Sequence, residues 1–363
     1  MTGYTNVPGV AFVKAAKRKK PRVYRTPRPL APLFDTHAHL TCFWNAQPAE
    51  VLVRAGCAGV RRLVTLFDPL SDDFDDAVAF HQQLDAWQDR ARDLAPSMAL
   101  LAEEAVTGEP ADVADAADFA LAAASVPHDA AGRLEGVREG LEELVDTLRY
   151  LVGVHPYGAP SYTDEVHAKL LAALEDPRCV GVGEIGLDYH FDAVDNIEAA
   201  PHDVQMSCMA RQLELAVERD VPVELHLRND GDDEAREAHA DAYRVLKDVG
   251  IPSAGCVLHC FGEDRATMER FVELGCHIAY GGAATFKRNE HIREAFAATP
   301  LDRILFETDC PYMAPEPIRG LECEPAMIAF TADALARDRA ARTGEDPAEV
   351  ARAAWTNALR LFD

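Results

Sequence analysis

The chain has 363 residues, of which 48% are hydrophobic and 27% charged. That suffices for one (β/α) barrel with additions, and no apolar run approaches the ~20 residues of a membrane span. With 61 acidic against 36 basic residues the net charge is −25. This excludes a general electrostatic grip on nucleic acid and leaves any such affinity to a local site and its metals.

In chain order, residues 1–30 come first. They have no apolar h-region and no small-residue cleavage site, so they are not a secretory leader. The basic run Lys14-Ala-Ala-Lys17-Arg18-Lys19-Lys20-Pro21-Arg22 reads as a disordered, solvated arm, with a nucleic-acid-binding tail as the alternative. Residues 31–363 then form the barrel proper. Short apolar runs predict strands at Leu33–His37, Val60–Leu66, Tyr150–His155, Cys179–Ile185, Pro222–His226, Gly255–Cys260, His277–Gly281 and Arg303–Thr308. Amphipathic stretches separate most of them. In Val204–Arg219, for example, Met206, Met209, Leu213, Ala216 and Val217 share a helical face. Eight such alternations predict an α/β fold with a closed parallel (β/α)8 barrel of TIM type. One interval, Ser71 to Leu148, is too long. Its composition predicts a helical acidic insertion at about 90–147 between the second and third strands, either solvated decoration or a lobe that shapes substrate or subunit contacts. Nine dispersed cysteines without a repeated CxxC imply reduced thiols, a cytoplasmic setting and no thiolate zinc site.

The chemistry lies at the strand ends. Strand after strand closes on a residue type that binds metals: His37 and His39, His155, Glu184, His226, His259 and Asp309. In a (β/α) barrel the carboxyl ends meet on one face, where active sites are built. His37 and His39, two apart on a strand, point to the same side and can converge on one cation. Glu184 has two oxygens and can bridge two cations. His226 and His259, on neighbouring strands, can share the second. Asp309 can bind metal and accept a proton as general base. Imidazole and carboxylate suit Zn, Mn or Mg, and a bound divalent ion makes hydroxide available from water near neutral pH. His81, His128, His167, His202, His239 and His291 lack this context and read as surface residues. His277 starts a strand and so faces the other end of the barrel.

The segments DTHAHL (Asp35–Leu40), VGVHPY (Val152–Tyr157), VGVGEIGLDYH (Val180–His190), PVELHLRN (Pro222–Asn229), VLHCFG (Val257–Gly262) and ETDCPYMAP (Glu307–Pro315) resemble the TatD family of metal-dependent hydrolases, a branch of the amidohydrolase superfamily. They occur in that family's order and cover Leu33 to Asp363 apart from the insertion. The resemblance implies a barrel holding two divalent cations, with His37, His39, Glu184 and Asp309 at one and Glu184, His226 and His259 at the other. It implies substrate-phosphate contacts from His155 and Arg228, and catalytic roles for Asp309 and Glu184. The chain departs from the family pattern at Thr41, where an acid is usual, at Cys323, where Asn is usual, in its basic arm and in the long insertion.

Three readings of function follow. The first is a phosphodiesterase, a 3′–5′ DNA exonuclease acting on a DNA 3′ end. The second is an amide, ester or lactone hydrolase with a small-molecule substrate, which the acidic surface and the insertion suit. The third is an inactive barrel whose insertion binds a partner. Along the sequence no aromatic and basic residues interleave as on a platform for single strands. No membrane contact and no obligate protein partner is expected.

Overall fold

The structure is a computed structural model and describes residues 9–16, 19–107, 139–190, 199–231 and 233–363. Of the disordered arm expected at residues 1–30, residues 1–8 and 17–18 lie outside the described residues, and the rest is not disordered. Ala11–Ala16 (β1) and Lys19–Arg25 (β2) pair antiparallel, with Phe12 opposite Tyr24 and Lys14 opposite Arg22. Val10, Ala11 and Phe12 are buried, and the Phe12 ring lies 6.2 Å from Phe330. Lys14 Nζ donates to the Pro317 carbonyl at 3.2 Å. The apolar residues around the basic run give the hairpin a face to bury, and that outweighs the solvation of its charges.

Eight parallel strands follow: β3 (Leu33–Ala38), β4 (Val60–Phe67), β5 (Arg149–Val152), β6 (Cys179–Asp188), β7 (Val223–Arg228), β8 (Cys256–Leu258), β9 (His277–Tyr280) and β10 (Ile304–Phe306). Each pairs with its sequence neighbours from β3 to β10. The barrel closes where Ala38 bridges Cys310: His39 N donates to the Cys310 carbonyl at 2.9 Å and Asp309 N to the His37 carbonyl at 3.0 Å. All eight predicted strands exist, with ends shifted by a few residues.

Helices α1 (Pro48–Ala58), α2 (Ala77–Thr107), α3 (139–146), α4 (Asp164–Ala173), α5 (His202–Arg219), α6 (Glu237–Val249), α7 (Arg265–Glu273), α8 (Glu290–Ala298), α9 (Ile328–Thr343) and α10 (Pro347–Phe362) complete the fold. Side-chain caps start three of them. Thr163 accepts from Val166 N ahead of α4, Asp264 from Thr267 N ahead of α7, and Asp346 from Ala348 N ahead of α10. On α5, Met209, Leu213 and Ala216 are buried as predicted, but Val217 is exposed. Inside the barrel, Phe34, Val64, Leu66, Leu151, Val257, Ala279 and Leu305 form a core with Leu361 and Phe362 of α10. Helix α10 sits at the amino ends of the strands, where Asn357 Nδ2 donates to the Leu301 and Ile304 carbonyls. The opposite, carboxyl end is left open.

The predicted insertion is helical at both described ends. Phe80, Leu84, Ala91 and Ala95 of α2 are buried, as are Leu141, Leu144 and Val145 of α3. Gln88 Nε2 donates to the Val145 carbonyl, and Arg92 pairs with Asp146 at 2.8 Å. The acidic middle of the insertion, with His128, lies at 108–138, outside the described residues. Among the described residues no helix is long and apolar enough to cross a membrane, and all nine cysteines are unpaired.

Glycines on β6 let it approach β7 closely, and Gly186 is the tightest. Gly186 pairs with His226 at φ +146°, and a Cβ there would lie 2.0 Å from the His226 carbonyl oxygen. Gly186→Ala should therefore cost roughly 2–4 kcal/mol by combined clash and backbone strain, whereas Gly231→Ala, with nothing within 4 Å of its Cβ, should be near neutral. Calorimetric unfolding checks this; equal midpoints for the two variants contradict the close approach.

Candidate metal centre and active site

The open end of the barrel gathers six of the strand-end residues into one cluster. His37 Nε2 and His39 Nε2 face each other at 3.0 Å. Glu184 Oε1 lies 3.6 Å from His39 Nε2, and Asp309 Oδ1 lies 3.5 Å from His39 Nε2 and 3.8 Å from His37 Nε2. On the other side of Glu184, its Oε2 stands 3.0 Å from His259 Nε2 and 3.3 Å from His226 Nδ1, and those two nitrogens are 3.2 Å apart. Two donors each about 2.1 Å from a tetrahedral ion stand about 3.4 Å apart. Spacings of this size are those of donors able to face a common cation. Glu184 Oε2 is buried and lacks hydrogen-bond geometry to either neighbour, which is what a cation-facing oxygen would show in the bare protein. His37, His39 and Glu184, then His37, His259 and Asp309, then Glu184, His226 and His259 each form a set able to hold a metal ion. The donor set, nitrogen and carboxylate oxygen without thiolate, fits a divalent cation of the Zn, Mn or Mg kind.

Two carboxylates that the sequence left unassigned orient the imidazoles. Glu224 Oε1 lies 2.6 Å from His37 Nδ1, fully buried, and Asp188 Oδ2 lies 3.1 Å from His226 Nε2. Each leaves the histidine's other nitrogen turned toward Glu184, the arrangement by which acids fix the tautomer of a metal-binding imidazole. Gln205 locks Asp188 in turn: its Oε1 accepts from Asp188 N at 2.7 Å and its Nε2 donates to the Asp188 carbonyl at 2.8 Å. Asp35 accepts from both Thr308 N and Thr308 Oγ1, tying the first strand end to the eighth. Glu224 and Asp188 both sit inside the quoted motifs, two residues from His226 and four from Glu184. What hid them was that an acid beside a ligand looks, in sequence, like another ligand.

Electrostatics in the bare cluster is that of protons standing where cations fit. Burial opposes charge on His39, but the Asp309 hydrogen bond and the Glu184 charge outweigh it and push its pKa up to about 9. The same contest at His226, won by Asp188 and Glu184, pushes it up to about 10. Burial would raise Glu184, but the nitrogens of His226 and His259 hold it well below the usual carboxylate range. Burial takes His37 down to about 4 and pushes Glu224 up to about 8.

The cluster floors a cavity of about 1030 Å³. His155 and Arg228 both line it. His155 Nδ1 accepts from Tyr157 N at 3.2 Å, and burial with the His226 charge takes its pKa down to about 3. The ring is thus neutral, and its proton sits on Nε2 as a donor. His155 also groups with Asp188 and His226 as a fourth set of metal-capable donors. Arg228 is half exposed, its guanidinium 3.9 Å from Asp188. His239, expected on the surface, is buried and lines the cavity, its Nδ1 accepting from Asn229 Nδ2 at 2.9 Å; helix α6 turns it inward. His81, His167, His202 and His291 do not line the cavity.

The model of the family described as TatD related DNase matches residues 34–363. The chain belongs to that family. It is a metal-dependent hydrolase. The metal-dependent hydrolase YcfH of Escherichia coli (strain K12) is 34% identical over 217 residues, 60% of this chain and 74% of YcfH. A 3′-5′ ssDNA/RNA exonuclease TatD of Pantoea vagans is 33% identical over 215 residues, 58% of this chain and 76% of its own length. Among solved structures, the TatD homologue YJJV of Escherichia coli superposes with a TM-score of 0.61 at 24% identity, covering 92% of this chain and 98% of that one. This likeness bears on the fold, and it agrees with a TatD barrel. The match begins at residue 34, so the β1–β2 hairpin lies outside the matched residues.

Two outcomes follow. At pH 7, His39 and His226 hold protons in the metal-free protein that a cation must displace. Zn²⁺ titration should release two protons per chain, with a third where Glu224 gives up its own, and affinity should rise with pH until about 9–10. Calorimetry in buffers of different ionisation enthalpy reads this, and binding without proton release contradicts it. Separately, Asp188→Asn should weaken metal binding about ten- to hundredfold while the fold persists, measured as retained metal after dialysis against a chelator.

Proposed function

We propose that this chain hydrolyses phosphodiester bonds at the 3′ end of a DNA strand, with two divalent cations held by the cluster around Glu184. The observation that carries the proposal is the division of that cluster. Glu184 Oε1 is turned to His39, which with His37 stands 3.5–3.8 Å from Asp309, and Oε2 is turned to His226 and His259, with His37 Nε2 between the two sides at 3.9 Å from Oε2. A pair of bound divalent ions would supply a nucleophile from water near neutral pH and a positive field at the phosphoryl oxygens.

The chain's own residues divide the remaining work. Asp309 is largely buried, and the opposition of His39 and His259 holds its pKa below the usual carboxylate value, so it is ionised and able to take a proton from the attacking water. The neutral His155 offers its Nε2 proton to a phosphoryl oxygen. Arg228 offers a planar fork of donors to the same group, half exposed beside it. The name of the Pantoea vagans relative, a 3′-5′ ssDNA/RNA exonuclease, supports this choice of substrate.

A second reading has its own observation. Asp230, Asp233, Glu234 and Glu263 line the cavity as well. This acidic rim disfavours a long polyanion and favours a small ester, amide or lactone.

The test is cleavage of 3′-labelled and 5′-labelled single-stranded DNA by metal-reconstituted protein, with Mg²⁺, Mn²⁺ or Zn²⁺ across a salt series. Stepwise shortening from the 3′ end is expected, and Asp309→Ala should lower kcat about 10²–10⁴-fold without unfolding the chain. Absence of cleavage at every ionic strength with all three metals contradicts the nuclease proposal and leaves the small-molecule reading.

A further inference from the structure

Large apolar side chains are not spread evenly over the described surface. Of the eight that are exposed, four line the one cavity at the barrel mouth: Leu70, Tyr157, Tyr312 and Met313. A fifth, Trp44, lies beside Tyr312 with ring centroids 6.0 Å apart and tilted by 49°. Tyr312 in turn stands 6.0 Å from the His39 ring, edge on. The aromatic rings therefore run outward from the metal cluster in two steps of 6.0 Å, His39 to Tyr312 to Trp44. They come from the loops after β3 and β10, distant in sequence and joined only where the barrel closes.

Trp44 is 57% exposed and Tyr312 47%. Clustered exposure of this kind marks a binding surface rather than accident. The loop that carries Trp44 is held rigidly for a surface loop. The Glu322 carboxylate accepts from Trp44 N at 2.7 Å, Asn45 N at 3.1 Å and Ala46 N at 3.2 Å. Three backbone donors on one carboxylate fix the backbone beneath the indole, so the ring is presented rather than left to drift. Polar faces of the rim would suffice for a phosphate or a sugar. Exposed, pre-positioned ring faces select a flat partner.

We propose that Trp44 and Tyr312 form a stacking subsite for a nucleobase flanking the cleaved phosphodiester. The inference rests on the phosphodiesterase reading and deepens it, because it assigns the base to the β3–β10 side and the phosphate to His155 and Arg228. It also resolves a tension. With an acidic rim on the β7–β8 side, grip on the strand comes from ring faces and the cations rather than from a basic groove.

The experiment compares wild type with Trp44→Ala and Trp44→Phe on two single-stranded oligonucleotides, one normal and one with its two 3′-terminal nucleotides abasic. Wild type should lose about ten- to hundredfold in kcat/KM on the abasic strand, chiefly through KM. Trp44→Ala should lose a similar factor on the normal strand and nothing further on the abasic one, and Trp44→Phe should retain most activity. In metal-free protein, dTMP should quench part of the tryptophan fluorescence of wild type and none of that of Trp44→Phe, whose other tryptophans, Trp87 and Trp355, are not exposed. Cleavage of both strands at equal rates by wild type, with no quenching, overturns the stacking subsite and leaves the nuclease reading intact. Cleavage of neither strand, with no quenching, overturns both.

Discussion

The architecture of this end of the molecule turns on one buried carboxylate. Glu184 sits among His37, His39, His226 and His259, with Asp309 opposite across the His39 ring. In the low-dielectric floor of a barrel, a carboxylate and four imidazoles at 3.0–3.9 Å are costly unless charge is balanced there. Protons on His39 and His226, whose pKa values are pushed up to about 9 and 10, balance it in the bare chain, and bound metal would do so in their place. Everything nearby serves this packing. Gly186 lets β6 and β7 approach closely enough to put Glu184 and His226 side by side. The closing contacts between β3 and β10 run through His37, His39 and Asp309 themselves, so the barrel cannot close without assembling the site.

Around that centre lies a shell of buried acids whose cost the fold accepts. Glu224, Glu307 and Asp35 are fully buried, and burial raises all three, Asp35 to about 7 and Glu307 well above its ordinary value. Neutral or half-neutral carboxyls of this kind are compatible with a metal-free fold. Ionised, Glu224 holds the His37 Nδ1 proton and leaves Nε2 bare toward the cluster. Cation binding, imidazole tautomer and carboxyl ionisation are thus coupled, and the stability of the closed barrel is coupled to all three. The cluster therefore behaves as one unit rather than as six independent ligands.

Much of this was legible in the sequence because barrels write their sites in a regular place. A parallel strand buried on both faces reads as an apolar run, and a polar residue at its carboxyl end is conspicuous. That is why Leu33–His37 and Cys179–Ile185 read as strands and why His37, His39, Glu184, His226, His259 and Asp309 stand out together. The hairpin was misread because charge density dominated residues 14–22, while its burial depends on Phe12 meeting Phe330, more than three hundred residues away. His239 was misread for a related reason: on an amphipathic helix a lone histidine carries no sign of which face it occupies. The pairing of Glu224 with His37 and the meeting of Trp44 with Tyr312 are contacts between distant loops and strands. No local pattern encodes them; the topology does.

The family match accounts for the barrel and its hydrolase chemistry, while the hairpin that meets Pro317 and Phe330 lies outside the residues that the match covers. The central claim remains the shared carboxylate. Its most direct measurement is anomalous diffraction from crystals of the protein loaded with Mn²⁺ or Zn²⁺. The account predicts two peaks flanking Glu184, one among His37, His39 and Asp309 and one between His226 and His259. A single peak, or peaks that leave Glu184 uncoordinated, would contradict it.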